Sequence, residues 1–397
     1  MDLIGWVIFI VALLFSVMLH ETGHFVMAKK FGMKVTRYFV GFGPTLWSTW
    51  RGETEYGIKA LPFGGFVKII GMHSLDEVDA DDEPRSFRRQ PAWQRIVVLC
   101  AGSFMHFVLA FILIFGLALG VGIENDTTTQ LGSISTCVAA NMTQLNNGTC
   151  TASDKASPAK LAGLRAGDQV TSVNGTPVSN WTQLGDAIRR APAGSLATIT
   201  VRRDGTTVTL HTRPASVPGR SGSYLGIAPA VVFSPASPLR AVTYAGSAFG
   251  QVIVGSGKAV AALPAALPKL FSKNRANTAA GQVSSVVGAA EATGTAVAAN
   301  VGWQLKVSFV LLLIASLNIF VGVFNMLPLL PLDGGHVAVV VWERIRAWFA
   351  RLRGRPDPGL VDMAKLLPVS FSIFMILIFF GVALILADIV NPVNIAG

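Results

Sequence analysis

The stretch His20-Glu21-Thr22-Gly23-His24 closes an apolar run that begins at Leu3, and it decides how the whole chain is interpreted. On a helix, His20 and His24 stand one turn apart on the same face, so both imidazoles can reach one metal ion. Glu21 lies about 100° further round, where a carboxylate can take a proton from water beside that ion. Two solvated histidines on a surface helix are the ordinary alternative, but ionisable groups inside a membrane span are costly and usually functional. The motif therefore predicts a metal centre in a membrane helix.

The composition is that of a multi-span membrane protein. Hydrophobic residues make up 51% of the 397 residues and charged residues only 14%, which excludes an ordinary soluble globular protein. The first uncharged run lacks the basic start of a signal peptide and ends in an intact metal motif, so we expect it to be retained. Four uncharged spans are predicted, over residues 3–19, 96–123, 307–332 and 366–387.

The net charge of +10 comes from Lys and Arg residues distributed as in the loops of a membrane protein, so it does not indicate nucleic acid as a partner. Lys and Arg crowd residues 29–95 and 344–365 and are absent from residues 96–154. The positive-inside rule assigns the two basic segments to the cytoplasm and both termini to the outside. We therefore expect a multi-pass protein of the bacterial plasma membrane, in contact with lipid, whose metal motif faces the cytoplasmic side.

Short strands are predicted between the first two spans, over residues 45–50, 54–60 and 64–69. A small sheet next to the metal helix could be partly immersed and line a cavity, and its free edge could receive an extended substrate. An ordinary cytoplasmic hairpin fits the same pattern equally well.

Residues 127–234 have the composition of a soluble domain on the outer side of the membrane. A strand over 169–173, a helix over 181–190 and a hairpin turning at Asp204-Gly205 are predicted. This succession resembles a PDZ domain of the bacterial protease type, with Ala162, Gly163 and Leu164 in the loop at its peptide groove. Such a domain could exclude bulky substrates or bind their tails.

One of the three cysteines lies in a predicted membrane span and the other two lie in the external segment. Cys100, in the second span, is expected to be an inert apolar residue. Cys137 and Cys150 lie in the external segment, where oxidation is possible, so we expect a disulfide that closes a short loop.

The third span ends in a segment that runs from Asn325 through Pro328 and Pro331 to Asp333-Gly334-Gly335. The predicted topology places this end at the same side and depth as His20 and His24. Asp333 can then be a third metal ligand, which leaves one tetrahedral position for water. The alternative is that Asp333 only caps the helix that follows.

The metal motif of span one and the Asn-x-x-Pro…Asp-Gly-Gly of span three flank the PDZ-like domain. This arrangement resembles the site-2 protease family of intramembrane zinc metalloproteases, and most closely the actinobacterial members that cleave membrane-bound anti-sigma factors. The resemblance implies hydrolysis of a peptide bond in single-pass membrane proteins already shortened outside by another protease. It also implies these roles: Zn²⁺ held by His20, His24 and Asp333; Glu21 as general base; substrate contacts from Asn325, Gly64, Gly65 and Phe66.

Two features depart from the family pattern. Pro331 stands one residue later than in the common enterobacterial sequence. Where many members have Gly-Pro-x-x-Asn in span two, this chain has Gly102-Ser103-Phe104-Met105-His106. His106 is therefore either a packing residue or part of the site, and we favour packing.

The predicted fold is membrane α-helical, with four transmembrane helices, a small membrane-associated β-sheet and an extracytoplasmic PDZ-like α/β domain. Two rival functions are an ion-coupled transporter and an inactive scaffold that binds tails. No inverted repeat is evident for the first, and the complete catalytic set argues against the second. The predicted segments are span one (1–27), the β region (28–93), span two (94–123), the PDZ-like domain (124–238), a connector that could hold surface helices (239–304), span three (305–335), a cytoplasmic loop or helix (336–365), span four (366–388) and a tail (389–397).

Overall fold

The computed structural model describes residues 3–72, 76–124, 128–146, 150–272, 275 and 284–391. The chain forms two compact units. Unit 1 comprises Met1–Leu119 and Ser237–Ala396, and unit 2 comprises Gly120–Ala236. Most of the regular structure is helical, and the strands form small sheets.

Unit 1 begins with a long helix, α1, over Leu3–Lys30. It continues past the uncharged run that ends at residue 19, and the whole metal motif is helical. Gly32, at a φ of 75°, takes the left-handed conformation that commonly follows a helix end. Two strands, β1 (Val35–Arg51) and β2 (Thr54–Ile69), and a second long helix, α2 (Ala92–Gly120), follow.

The hairpin of β1 and β2 folds into the equivalent of four short strands. Tyr38 pairs with Tyr56 on one side and with Val67 on the other, while Trp50 pairs with Glu55. Each long strand therefore bends, and the second half of β2 pairs on one side only. The predicted strands all lie inside this hairpin, which begins ten residues earlier than expected, at Val35.

Unit 2 has its own apolar core around Leu131, Val170, Leu184 and Val201. Its predicted hairpin turn forms with positive φ at both central residues, Asp204 (48°) and Gly205 (83°). Its elements are β3 (Ile123–Glu124), β4 (Leu131–Ile134), α3 (Met142–Asn146), α4 (Pro158–Leu161), β5 (Gln169–Val173), β6 (Thr176–Pro177), α5 (Trp181–Arg190), β7 (Ala197–Arg203), β8 (Thr206–Thr212), β9 (Ile227–Pro229) and β10 (Phe233–Ser234). The main sheet has the order β6-β5-β7-β8, and β4 pairs with β9.

The chain then returns to unit 1 through five helices: α6 (Pro238–Ala266), α7 (Val286–Ala298), α8 (Trp303–Asn325), α9 (Asp333–Leu352) and α10 (Met363–Val390). Helix α7 packs closely on α1, where a Cβ on Gly5 would lie 2.6 Å from Cα of Gly294. A buried ion pair joins Nη2 of Arg275 to Oδ1 of Asp388 near the end of α10, at 2.5 Å.

Among the described residues, five helices are long and apolar enough to cross a membrane by length and composition. Four of them, α1, α2, α8 and α10, contain most of the four predicted spans. The fifth is α6, in the segment for which we expected surface helices or a connector. It packs on α2 and α8, with Ala245 in one apolar cluster with Ala110 and Ala315.

Candidate metal centre

His20, His24 and Asp333 converge in unit 1. The two Nε2 atoms of the histidines lie 3.0 Å apart. Oδ2 of Asp333 lies 3.3 Å from Nε2 of His20 and 3.5 Å from Nε2 of His24. Both imidazoles are buried and Asp333 is partly buried, so three potential ligand atoms meet in a place largely shielded from solvent.

The two glycines that follow Asp333 allow the close packing that places its carboxylate beside the two histidines. A Cβ on Gly334 would lie 2.3 Å from the carbonyl carbon of Met326, and one on Gly335 would lie 2.6 Å from that of Leu329. Only glycine allows the start of α9 to pack against the loop in this way. Asp333 is the first residue of α9, and the N-cap position belongs to Leu332, so the side chain is not used as a cap.

The chemistry of the three side chains fits a zinc ion. Nδ1 of His24 donates to the carbonyl of Val98 at 2.8 Å, which leaves a lone pair on Nε2. Oδ2 of Asp333 is buried and accepts no hydrogen bond of ordinary geometry from the described residues. Ligands about 2.0–2.1 Å from zinc in a tetrahedron are about 3.3 Å apart, which matches the observed separations.

Glu21 lies beside this cluster and is held by the sheet. Its Oε2 accepts a hydrogen bond from the backbone N–H of Val67 in β2, at 2.9 Å. Tyr38 ties the sheet to α1 through a hydrogen bond between its hydroxyl and that of Thr22, at 2.8 Å. The carboxylate is therefore positioned by a helix and a strand together.

Helix α2 forms the wall behind the histidines. A Cβ on Gly102 would lie 2.4 Å from Nε2 of His24 and 2.6 Å from Cε1 of His20. A Cβ on Gly23 would lie 2.4 Å from the carbonyl oxygen of Ala101. Small residues thus let two membrane helices approach closely at the site.

One turn along α2 from Gly102, a buried polar cluster joins α1, α2 and α8. Nδ1 of His106 lies 2.8 Å from Oδ1 of Asn318 and 3.1 Å from Oγ of Ser16, whose hydroxyl also donates to Asn318. The ring of His106 lies 5.0 Å from the ring of His20, centroid to centroid. The sequence pattern leaves two roles open for His106 and does not predict the contact with Asn318, although an Asn inside a membrane span is often functional.

The predicted substrate residues of unit 1 lie on two elements, β2 and α8. Gly64, Gly65 and Phe66 are in β2, just before the residue that holds Glu21. A Cβ on Gly65 would lie 2.5 Å from Sδ of Met18 in α1. Asn325 is the last residue of α8 and is half-buried.

Unit 2 contains a cavity of about 470 Å³, and the predicted groove residues do not line it. Leu164 is in the core of the unit, and the carbonyl of Gly163 accepts from Arg203. The stretch Tyr224-Leu225-Gly226-Ile227 lines this cavity and contains no predicted site residue. The cavity lies between α5 and the chain around β9, with a third wall from residues 137–145, and its lining includes Trp181, Leu184, Ile188, Arg189, Tyr224, Leu225, Ile134, Cys137, Ala139 and Leu145.

The Sγ atoms of Cys137 and Cys150 are bonded, with their Cα atoms 5.9 Å apart. Cys100 is a free thiol in α2.

Comparison with known proteins accounts for this arrangement. The profile of peptidase family M50 matches residues 8–355. This chain belongs to peptidase family M50. The zinc metalloprotease Rip1 of Mycobacterium tuberculosis is 39% identical to it, over 98% of both chains. Rip1 of Mycolicibacterium smegmatis is 38% identical, over 99% of this chain and 98% of that one.

Membership of the M50, or site-2 protease, family fixes the class of activity. The chain is an intramembrane zinc metalloprotease, and its cofactor is Zn²⁺. It is a multi-pass membrane protein whose substrates are reached in the bilayer. The family resemblance inferred from the two motifs is confirmed, and the transporter and scaffold alternatives are excluded.

Proposed function

We propose that His20, His24 and Asp333 hold the zinc ion and that Glu21 is the general base for hydrolysis of a peptide bond within a transmembrane segment. The observation that carries this proposal is the convergence of three buried ligand atoms within 4.8 Å of one another, with Glu21 beside two of them in α1. When bound, zinc supplies Lewis acidity to a water molecule and to a carbonyl group.

Glu21 takes the proton from the attacking water and passes it to the amine that leaves. The hydrogen bond from Val67 keeps one carboxylate oxygen fixed, so the other is free to face the water. The substrate helix must unwind before attack, because its own turns shield each peptide bond.

An unwound substrate needs partners for its backbone groups. The half of β2 that holds Gly64, Gly65 and Phe66 pairs on one side only, so a segment of substrate can add to it as a further strand. Asn325, at the end of α8, would donate or accept a hydrogen bond with the same segment. These contacts favour an extended peptide over a helix at the metal centre.

The substrates we propose are single-pass membrane proteins, such as anti-sigma factors, after a first cut outside the membrane. Lys29 and Lys30 end α1, and the positive-inside rule places that end, with the active site, toward the cytoplasm. Exposed aromatic side chains of the hairpin, including Trp47 and Trp50, suit contact with lipid. We place both termini and unit 2 outside.

We propose that unit 2 is a PDZ-like domain and that its cavity, rather than residues 162–164, is the peptide groove. Leu184, Ile188 and Leu225 give the cavity an apolar floor, and Arg189 and Arg220 lie at its lining. These groups suit a peptide tail with an apolar last side chain and a free carboxylate.

The deciding experiment uses full-length protein in liposomes with a model single-pass substrate that carries a short external tail. Wild type should cleave it and contain one zinc per chain. Asp333→Ala should lose both zinc and cleavage, because two imidazoles alone make a poor zinc site. If Asp333→Ala kept its full zinc content, the proposed ligand set would be wrong.

A further inference from the structure

The two histidines of the metal motif differ in how their second ring nitrogen is used. Nδ1 of His24 donates to the carbonyl of Val98. Nδ1 of His20 is buried and has no hydrogen-bond partner among the described residues. A histidine that binds metal through Nε2 carries a proton on Nδ1, and a buried donor without a partner is costly. An acceptor for His20 is therefore required.

The ring of His106 lies next to this unsatisfied donor, and its tautomer can be deduced. Nδ2 of Asn318 donates to the carbonyl of Ile314 at 2.8 Å, which fixes the amide so that Oδ1 faces His106. Because Oδ1 is an acceptor, Nδ1 of His106 is the donor in that contact. In a neutral imidazole the other nitrogen, Nε2, then carries a lone pair.

We propose that Nε2 of His106 accepts the hydrogen bond from Nδ1–H of His20, directly or through one water molecule. The inference rests on the proposed zinc ligands and adds a positioning residue to them. A chain of hydrogen bonds would then run from the metal ligand on α1 through His106 on α2 to Asn318 on α8. The 5.0 Å between the two ring centroids is short enough for this contact after a small rotation of either ring.

Ser103 is the rival acceptor. Its Oγ is buried, has no hydrogen-bond partner among the described residues, and follows Gly102, which faces the His20 ring. His106 is favoured because its ring contacts that of His20 and because Asn318 and Ser16 hold it in the required tautomer. The two candidates are separated by substitution.

The test measures zinc affinity in full-length protein by competition with a chelator, which does not depend on activity. Gln places an acceptor where His has Nε2, whereas Asn places its polar atoms near the position of Nδ1. His106→Gln should therefore retain zinc affinity close to that of wild type. His106→Asn and His106→Leu should weaken zinc binding by about 10–100-fold. Ser103→Ala should leave zinc affinity unchanged.

Thermal unfolding of each variant without metal controls for damage to the fold. A loss of zinc affinity in His106→Asn at unchanged metal-free stability supports a positioning role. Wild-type zinc affinity in both His106→Asn and His106→Leu overturns the inference, as does a selective loss in Ser103→Ala. His24→Ala is the reference: if it binds zinc like wild type, the proposed ligand set itself has failed.

Discussion

Nδ1 of His24 donates a hydrogen bond to the backbone carbonyl of Val98, 2.8 Å away, so α2 sets the tautomer of a proposed metal ligand carried by α1. The same helix touches both imidazoles with the bare backbone of Gly102. The proposed metal centre therefore depends on how closely α1 and α2 approach each other.

A methyl group added at Gly102 should push α2 away from the imidazoles of His20 and His24. Gly102→Ala is expected to lower zinc content and cleavage together, because the new Cβ would lie 2.4 Å from Nε2 of His24. Gly116→Ala is the matched control in the same helix, where an added Cβ meets nothing within 4 Å. Equal zinc content in the two variants, measured on purified protein, would contradict the close approach.

Removal of the proposed base should separate chemistry from metal binding. Glu21→Gln is expected to lower cleavage by at least about 10²-fold and to keep zinc in place, because it removes a proton acceptor and no ligand. The measurements are turnover of a reconstituted substrate and zinc content. Turnover near that of wild type would refute the assignment of Glu21.

The ion pair between Arg95 of α2 and Glu343 of α9 is almost fully buried, with 2.5 Å between Nη2 and Oε2. Glu343→Ala is expected to lower the free energy of unfolding by about 3–5 kcal/mol, because Arg95 would be left buried and unpaired. The control is Asp186→Ala, which breaks an exposed pair with Arg189 and should change stability little. Similar melting temperatures for the two variants would contradict the prediction.

The bond between Cys137 and Cys150 should stabilise unit 2 by about 2–4 kcal/mol, since it closes a short loop in the unfolded chain. Both thiols should resist alkylation in unreduced, denatured protein, whereas Cys100 should react. Modification of all three cysteines without reductant would show that the bond does not form.

The pKa of Glu53 is lowered to about 2, chiefly by the paired hydrogen bonds from Arg85 and further by Lys29. A carboxylate with a lowered folded-state pKa stabilises the fold above its ordinary pKa of 4.5 and loses that effect as the pH falls toward 2. Melting temperature should therefore fall from roughly pH 5 to pH 3, and less steeply in Glu53→Gln. Parallel curves for the two proteins would disprove this contribution.

Local pattern predicted most of the long helices and the candidate ligands, because His20 and His24 share one helix face and Asp333 ends a recognisable span. The register of the folded hairpin was not predictable, since Tyr38 pairs with two different parts of β2. The cluster of His106 with Asn318 was missed for a similar reason: the two residues lie 212 positions apart. Contacts between spans leave no periodicity in either sequence segment.

The groove that we propose for unit 2 shows a second limit of sequence-based prediction. The resemblance to a PDZ domain implies a groove at Ala162, Gly163 and Leu164, in the loop before β5. The cavity instead needs α5, the Tyr224–Ile227 stretch and the loop with Cys137 together. Only the packing of three separate segments defines it.

The hydrogen bond from the N–H of Val67 to Glu21 also affects which peptide bond of a substrate would be cut. Val67 lies on the open edge of β2, and its backbone N–H already donates a hydrogen bond to Glu21. A peptide that adds to this edge therefore cannot bond to the N–H of Val67. Its hydrogen bonds to β2 must bulge or stop there, next to the carboxylate of Glu21. The position of the cut bond would then be set by its distance along the peptide backbone from that interruption. Changes to substrate side chains should alter how fast the bond is cut more than which bond is cut.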